Sequence, residues 1–204
     1  MLEYLITVVI GYLLGCFQVS YYLGKIFKKI DIREYGSNNA GASNATIVMG
    51  WKYGALTVFC DISKAIVAIM IIHLVFPDNP ILKYLAGTTC IIGHIFPFYM
   101  KFKGGKGFAS YIGMIIAIDF KIAIIAIIGI IAITIISDYI VIATLSVISG
   151  FPIYKLYTGE HIVILGLLTF IFIVIFIKHF INIKRIYKGE EIGLRSLFRK
   201  ECES

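Results

Sequence analysis

The sequence is without the equipment of several enzyme classes. It has no H-E-x-x-H pair, no cluster of cysteine and histidine ligands and no dense set of carboxylates, which argues against zinc and hard-cation centres. It has no G-x-S-x-G elbow to present a serine nucleophile, and the G-x-x-x-x-G-K-[ST] spacing of a Walker A loop is missing. Cysteine is scarce: Cys16, Cys60 and Cys90 lie inside apolar runs and Cys202 in the tail. With neither paired nor metal-ligand spacing, they read as small buried hydrophobes. Internal repeats and low-complexity linkers are absent. Acidic residues are few, 12 against 19 basic ones, for a net charge of +7. In an apolar chain that surplus bears on topology and lipid headgroups before nucleic acid, and no nucleic-acid partner is expected.

What is abundant is apolar. Hydrophobic residues make up 59% of 204 residues, and the mean hydropathy is +0.92. Apolar runs fall at 2–24, 51–76, 81–100, 108–118, 122–136, 139–157 and 161–178. Together they exceed what one soluble core would bury, so the expected fold is an all-α polytopic membrane protein, 1–204 forming a single domain. The first run opens with Glu3 rather than a basic patch and outlasts a signal-peptide core, so it reads as a retained span. The first three runs reach the ~20 residues that a spanning helix needs.

Basic residues set the sidedness. Lys25, Lys28, Lys29 and Arg33 follow the first run, and Lys101, Lys103 and Lys106 follow the third. Lys184, Arg185, Lys188, Arg195, Arg199 and Lys200 fill the tail, whereas the turn Pro77–Pro80 has none. The positive-inside rule then puts those three segments and the carboxyl terminus in the cytoplasm and the amino terminus outside. Residues 108–178 must leave and return, which needs an even number of crossings. Two would average about 35 residues and four about 18, near the spanning minimum, so about seven spans are expected, some of them short. Five or six hold if the short runs are re-entrant. The breaks at Asp119-Phe-Lys121, Ser137-Asp138 and Thr158-Gly-Glu160 supply the turns. Gly11 and Gly15 have the spacing of close helix packing.

Three polar segments share the predicted cytoplasmic side: Gly36–Asn44, Gly93–Ser110 and Lys178–Glu191. In the first, amides and hydroxyls offer many hydrogen bonds and little charge. Turn chemistry alone accounts for Asn, Ser and Gly, but the lack of lysine and glutamate favours a functional loop. In the second, Lys103-Gly-Gly-Lys106-Gly107 combines backbone freedom with cations. That is either a glycine turn flanked by topological lysines or a phosphate cradle, to which the amides opening the next helix would add. In the third, His179 and Asn182 share one helical face at i, i+3. Asp61 and Lys64 stand at the same spacing inside the second run, where ionisable groups are costly unless paired or facing a polar cavity. His73 and His161 read as interfacial.

These segments together resemble the bacterial membrane acyltransferases that move an acyl group from acyl phosphate to glycerol 3-phosphate. The family pattern G-S-G-N-x-G-A-T-N-x-x-R is matched by Gly36-Ser-Asn-Asn-Ala-Gly-Ala-Ser-Asn44, and G-H-x-F-P with K-F-K-G-G-K-G-x-A-T by Gly93–Pro97 and Lys101–Ser110. H-x-x-N-I-x-R with a trailing G-x-E is matched by His179, Asn182, Ile183, Arg185, Gly189 and Glu191. The resemblance runs over nearly the whole chain. It implies that acyl phosphate plus glycerol 3-phosphate gives lysophosphatidic acid and phosphate, the first step of phospholipid synthesis, without cofactor or metal, at the cytoplasmic face of a bacterial cell membrane among its lipids.

Acyl phosphate is already an activated anhydride, so orientation and charge neutralisation are the enzyme's tasks. By motif position Gly104, Gly105 and Gly107 cradle the acyl phosphate, with Lys103 and Lys106 neutralising it. Ser37, Asn39 and Asn44 shape the acceptor site, and Asn182 and His179 close it. Lys106, His179, Asn182 and Ser37 are thereby the expected catalytic residues, and the acceptor proton goes to His179 or to a substrate phosphate. One departure stands out: Ile47 occupies the position of the family arginine, which suits bidentate phosphate binding as isoleucine cannot. Lys52 replaces it, or the acceptor is bound weakly, or the chain is a divergent paralogue with another acceptor or no activity. Asn38, Ser43 and Phe180 are milder departures from the pattern. A transporter of a small phosphorylated anion, with Asp61 and Lys64 lining its path, is the alternative from a different class.

Overall fold

Apolar runs of this length have one way to satisfy their backbone in lipid, and the computed structural model, which describes residues 1–196, is helical throughout with no strand among the described residues. Arg199, Lys200 and Cys202 lie outside the described residues. Two compact units divide the chain, Met1–Asp119 and Phe120–Ser204.

In the first unit α1 spans Leu2–Cys16, α2 Val19–Leu23, α3 Ala42–Met49, α4 Trp51–Val75, α5 Pro80–Ile95 and α6 Phe108–Ile118. The second unit contains α7 (Phe120–Ser137), α8 (Ile140–Tyr157) and α9 (Ile162–Tyr187). Among the described residues six stretches are long and apolar enough to cross a membrane: 2–28, α4, 80–100, α7, α8 and α9. The seventh expected span, α6, has 11 residues. At ~1.5 Å per residue it is about 17 Å long, well short of the ~30 Å hydrocarbon core. Its middle, Ser110–Ile115, is buried, so α6 is packed inside protein over much of its length.

The glycines of the first helix do pack it. A Cβ on Gly15 would fall on the Cys90 carbonyl, one on Gly11 on the Thr89 hydroxyl, and one on Gly93 on the Tyr12 carbonyl. α1 and α5 therefore meet backbone to backbone, as small residues allow where lipid supplies no hydrophobic drive. Gly113 brings α6 equally close to the Ile62 backbone of α4. The first crossing is not continuous. Phe17, at φ −66° and ψ 105°, leaves the helix before Gln18 and α2 restart it.

Side-chain bonds fix which loops share an end. Asn79 Nδ2 donates to Glu3 Oε1 at 3.2 Å, so the amino end of α1 and the turn before α5 lie together. At the opposite end Arg33 Nη1 donates to the Met100 carbonyl at 2.8 Å, joining the two basic loops of this unit. Within the second unit the amides of Leu194 and Arg195 each lie 2.8 Å from Asp138 oxygens, so the segment after α9 returns to the α7–α8 turn. His161 is an N-cap, its Nδ1 accepting from the Val163 amide at 3.2 Å.

Candidate active site

Loop 29–41 and the glycine loop 101–107 form the polar end of the first unit. Asp31 and Arg33 clamp them: Nε and Nη2 of Arg33 donate to the two Asp31 oxygens at 3.0 and 2.7 Å, while Nη1 reaches the second loop. The hydrogen bonds from Arg33, outweighing partial burial, hold the Asp31 carboxyl below its ordinary pKa, and the same bonds raise Arg33. Between the loops is a cavity of about 380 Å³, lined by Asp31, Arg33, Glu34 and Asn38 on one side and Lys101, Lys103 and Gly104 on the other. Against the carboxylates of Asp31 and Glu34 its three cations leave one net positive charge, and with Arg33 paired to Asp31 the two lysines are the cations that suit an anionic ligand. Exposed Lys52 lies instead over the Trp51 ring, 5.9 Å from its centroid, and Ile47 is exposed on α3. The guanidinium at this cleft is that of Arg33.

Asn44 is fully buried. Its Nδ2 lies 2.9, 3.1 and 2.8 Å from the carbonyls of Ile32, Tyr35 and Asn39, and its Oδ1 accepts from the Ser37 amide at 2.7 Å. Both ends of this amide are engaged in winding the loop around it. Ser37 and Asn39 stay half-buried, with Asn39 Nδ2 against Gly41. Asn38, where the pattern has glycine, sits at φ +57°, a left-handed conformation that asparagine tolerates best among residues with side chains.

The glycine loop folds back onto α5. The Gly104 amide donates to the Ile95 carbonyl at 3.1 Å and the Gly105 amide to that of His94 at 3.0 Å. Those two amides are therefore turned away from a ligand. A Cβ on Gly105 would strike the His94 ring, and Gly107, at φ +91°, lies against Ile91 and Ile95. From Gly107 the chain enters α6, whose first internal bond is Tyr111 N to Gly107 O at 2.9 Å. The amides of Phe108, Ala109 and Ser110 thus precede the helical ladder and carry its positive pole. The Ser110 hydroxyl, fully buried, has no hydrogen-bond partner among the described residues. Half-buried Lys106 flanks this helix start and exposed Lys103 lies three residues before it. The anion-binding face of the loop is accordingly its α6 end.

Beneath the loop, Lys64 Nζ lies 2.7 Å from Asp61 Oδ1, 2.8 Å from His94 Nδ1 and 2.9 Å from the carbonyl that the break at Phe17 leaves outside the helix. Gln18 Nε2 donates to the His94 carbonyl at 2.8 Å. The sequence reading paired Asp61 with Lys64 but gave His94, Gln18 and Ser110 no role. A lone glutamine in an apolar run was the available signal for Gln18.

In the second unit His179 and Asn182 are buried on α9. His179 Nδ1 is 2.9 Å from the Ile175 carbonyl. A carbonyl only accepts, so Nδ1 carries the proton and Nε2 is the basic nitrogen of the neutral ring. Asn182 Nδ2 donates to Glu191 Oε1 at 2.6 Å, tying the trailing segment to the helix. Among the described residues no group of three His, Cys, Asp or Glu side chains is placed to hold a metal ion.

Spanning helices with a lysine-rich glycine loop opening a buried helix define an integral membrane protein that handles anionic groups. The glycerol-3-phosphate acyltransferase family profile matches residues 5–189. Glycerol-3-phosphate acyltransferase 1 of Oceanobacillus iheyensis is 41% identical, covering 98% of this chain and 99% of that protein. The Pelagibacter ubique glycerol-3-phosphate acyltransferase is 34% identical over 93% of this chain and 97% of its own. Two crystal structures of PlsY (YgiH), an integral membrane glycerol 3-phosphate acyltransferase, share the fold at 28% identity. The glycerol 3-phosphate form superposes with a TM-score of 0.87 over 94% of this chain and 95% of that one, the lysophosphatidic acid form with 0.84 over 95% and 96%. The chain belongs to the glycerol-3-phosphate acyltransferase family.

Proposed function

We propose that the chain transfers a fatty acyl group from acyl phosphate to the hydroxyl of glycerol 3-phosphate, giving lysophosphatidic acid and phosphate, at the cytoplasmic face of a bacterial cell membrane. The observation that carries this reading is the glycine loop, in a chain of this family. Its first two glycine amides bond back to α5, so the α6 amides, with Lys106 just before them in the chain, remain to meet a phosphate, while Lys103 lines the cleft with Arg33 and Lys101. The tail of the donor stays in lipid. Attack by the acceptor hydroxyl turns the acyl carbonyl into an oxyanion and expels phosphate, so developing charge needs cations and amide donors and no protein nucleophile. Lys106 is assigned to that charge. His179 takes the acceptor proton at Nε2, since its Nδ1 proton is fixed on the Ile175 carbonyl. Asn182 holds Glu191 on α9, Gly107 opens the donor helix, Gly104 and Gly105 shape it, and Ser37 and Asn39 face the acceptor from a loop that Asn44 winds.

The basic loops and the carboxyl end face the cytoplasm and the amino terminus lies outside, on the distribution of lysine and arginine. Purified protein given acyl phosphate and labelled glycerol 3-phosphate should release phosphate and form labelled lysophosphatidic acid, and Lys106→Ala should abolish both. Wild-type rates in Lys106→Ala would remove the assignment of that lysine, and no product from the unaltered protein would remove the function. Uptake of glycerol 3-phosphate into liposomes without acyl transfer would favour a transporter instead.

A further inference from the structure

Three ionisable side chains meet under the glycine loop and away from water, and the chemistry above uses none of them. The exposures of the Asp61, Lys64 and His94 side chains are 2%, 5% and 3%. An ammonium carries three protons and accepts none. Lys64 Nζ has three acceptors at 2.7, 2.8 and 2.9 Å, namely Asp61 Oδ1, His94 Nδ1 and the Phe17 carbonyl, one for each proton. His94 Nδ1 also faces Asp61 Oδ1, but at 3.3 Å against 2.8 Å to the ammonium; along the shorter contact Nδ1 accepts, which leaves the ring neutral with its proton on Nε2. That edge of the ring occupies the space a Cβ on Gly105 would need. The carbonyl of the same residue holds the Gly105 amide and is itself braced by Gln18. His94 is thus gripped at one nitrogen and sets Gly105 with the other and with its backbone.

We propose that Asp61, Lys64 and His94 form a positioning device for the donor loop. Asp61 orients Lys64, Lys64 fixes the tautomer and rotation of His94, and His94 sets the path of Gly104 and Gly105, hence the aim of the α6 amides at the acyl phosphate. The proposal rests on reading that loop as the acyl-phosphate site. An apolar trio of equal volume would fill this space without the desolvation cost of an ion pair. It would not hold an imidazole in one tautomer and one plane. All three are positioning residues, since they act through the loop.

The test is a cycle of His94→Asn, Gly105→Ala and the double variant, with KM measured for each substrate. Asparagine keeps an acceptor for Lys64 but removes the ring edge beneath Gly105. His94→Asn should raise KM for acyl phosphate about tenfold or more while KM for glycerol 3-phosphate stays within about twofold. Gly105→Ala alone should be nearly inactive, yet add no further loss in the His94→Asn background, because the clashing ring is gone. Losses that multiply, or two KM values that rise together, overturn the proposal. The His73→Gln/His161→Gln/His179→Gln protein leaves His94 as its only histidine, and ¹⁵N NMR in detergent reads its tautomer whether or not the cycle variants fold. A neutral Nε2–H ring is expected, and a proton on Nδ1 overturns the proposal. If unaltered protein transfers no acyl group, the functional reading fails while the NMR result still decides the geometry.

Discussion

Replacing Asn44 by aspartate separates a residue that contacts substrate from one that builds the loop. The change is isosteric and keeps the oxygen that receives the Ser37 amide. It replaces the amide NH₂ by a carboxylate oxygen facing the carbonyls of Ile32, Tyr35 and Asn39, all within 3.1 Å of Nδ2. Each buried polar group left unsatisfied costs about 1–3 kcal/mol. Two lost amide protons therefore give about 2–6 kcal/mol before any cost of burying charge at a fully enclosed position. At ~1.4 kcal/mol per tenfold, the population of the ordered loop falls by about thirtyfold or more. The packing of α1, α4 and α5 does not depend on that bond, so the helices should stay assembled. The assay is hydrogen exchange of the amides in 34–50 beside acyl transfer in the same micelles. Asn44→Asp and Asn44→Ala should both lose protection of the Ser37 amide and activity together, aspartate at least as severely as alanine. Lost activity with intact protection would make Asn44 a substrate ligand and refute the reasoning. Wild-type values for both would refute it equally.

Three further outcomes follow from the same geometry. Asp31 has a lowered pKa in the folded loop, so its contribution is present above the ordinary value of ~3.9 and fades as pH falls through that value toward its folded pKa. Exchange protection at the Arg33 amide should drop below about pH 4 in wild type, and in Asp31→Asn it should already be low at pH 7 with little further change. Gly15→Leu forces a side chain into the Cys90 backbone and should cost at least the ~1–3 kcal/mol of core overpacking, read as a lower thermal midpoint, whereas Gly166→Leu, in open space, should leave it unchanged. Ile47→Arg should leave KM for glycerol 3-phosphate within about twofold if Arg33, Lys101 and Lys103 already supply the cations, and a drop of about tenfold or more would show that the cleft lacks one.

Hydropathy and lysine counts were enough to give the long apolar helices and which loops lie together in the first unit, as the Arg33–Met100 and Asn79–Glu3 bonds bear out, but not α3 or the break at Phe17. Short-range spacing likewise gave Asp61 with Lys64. It did not give His94, 30 residues further on, because nothing local says which face of α5 meets α4. The polar loop around Asn44 was legible as unusual, but its chemistry was read as outward. An amide that binds substrate and one that binds its own backbone look alike in sequence. The same holds for Gly104 and Gly105, where close approach to His94, rather than to a ligand, demands glycine.

The grip on Lys64 also bears on how the chain is made. Ribosomal order delivers Phe17 first, Asp61 and Lys64 together on α4, and His94 last. A lone cation at the centre of a nascent span costs about 2.5–3.5 kcal/mol to insert. Placing its counter-charge one turn earlier on the same helix lets α4 enter the bilayer already neutral. The carbonyl exposed at Phe17 is by then waiting in the preceding span. Only the third proton of Lys64 must await α5, so synthesis sets this ion pair in place before it sets the histidine that bears on the glycine loop.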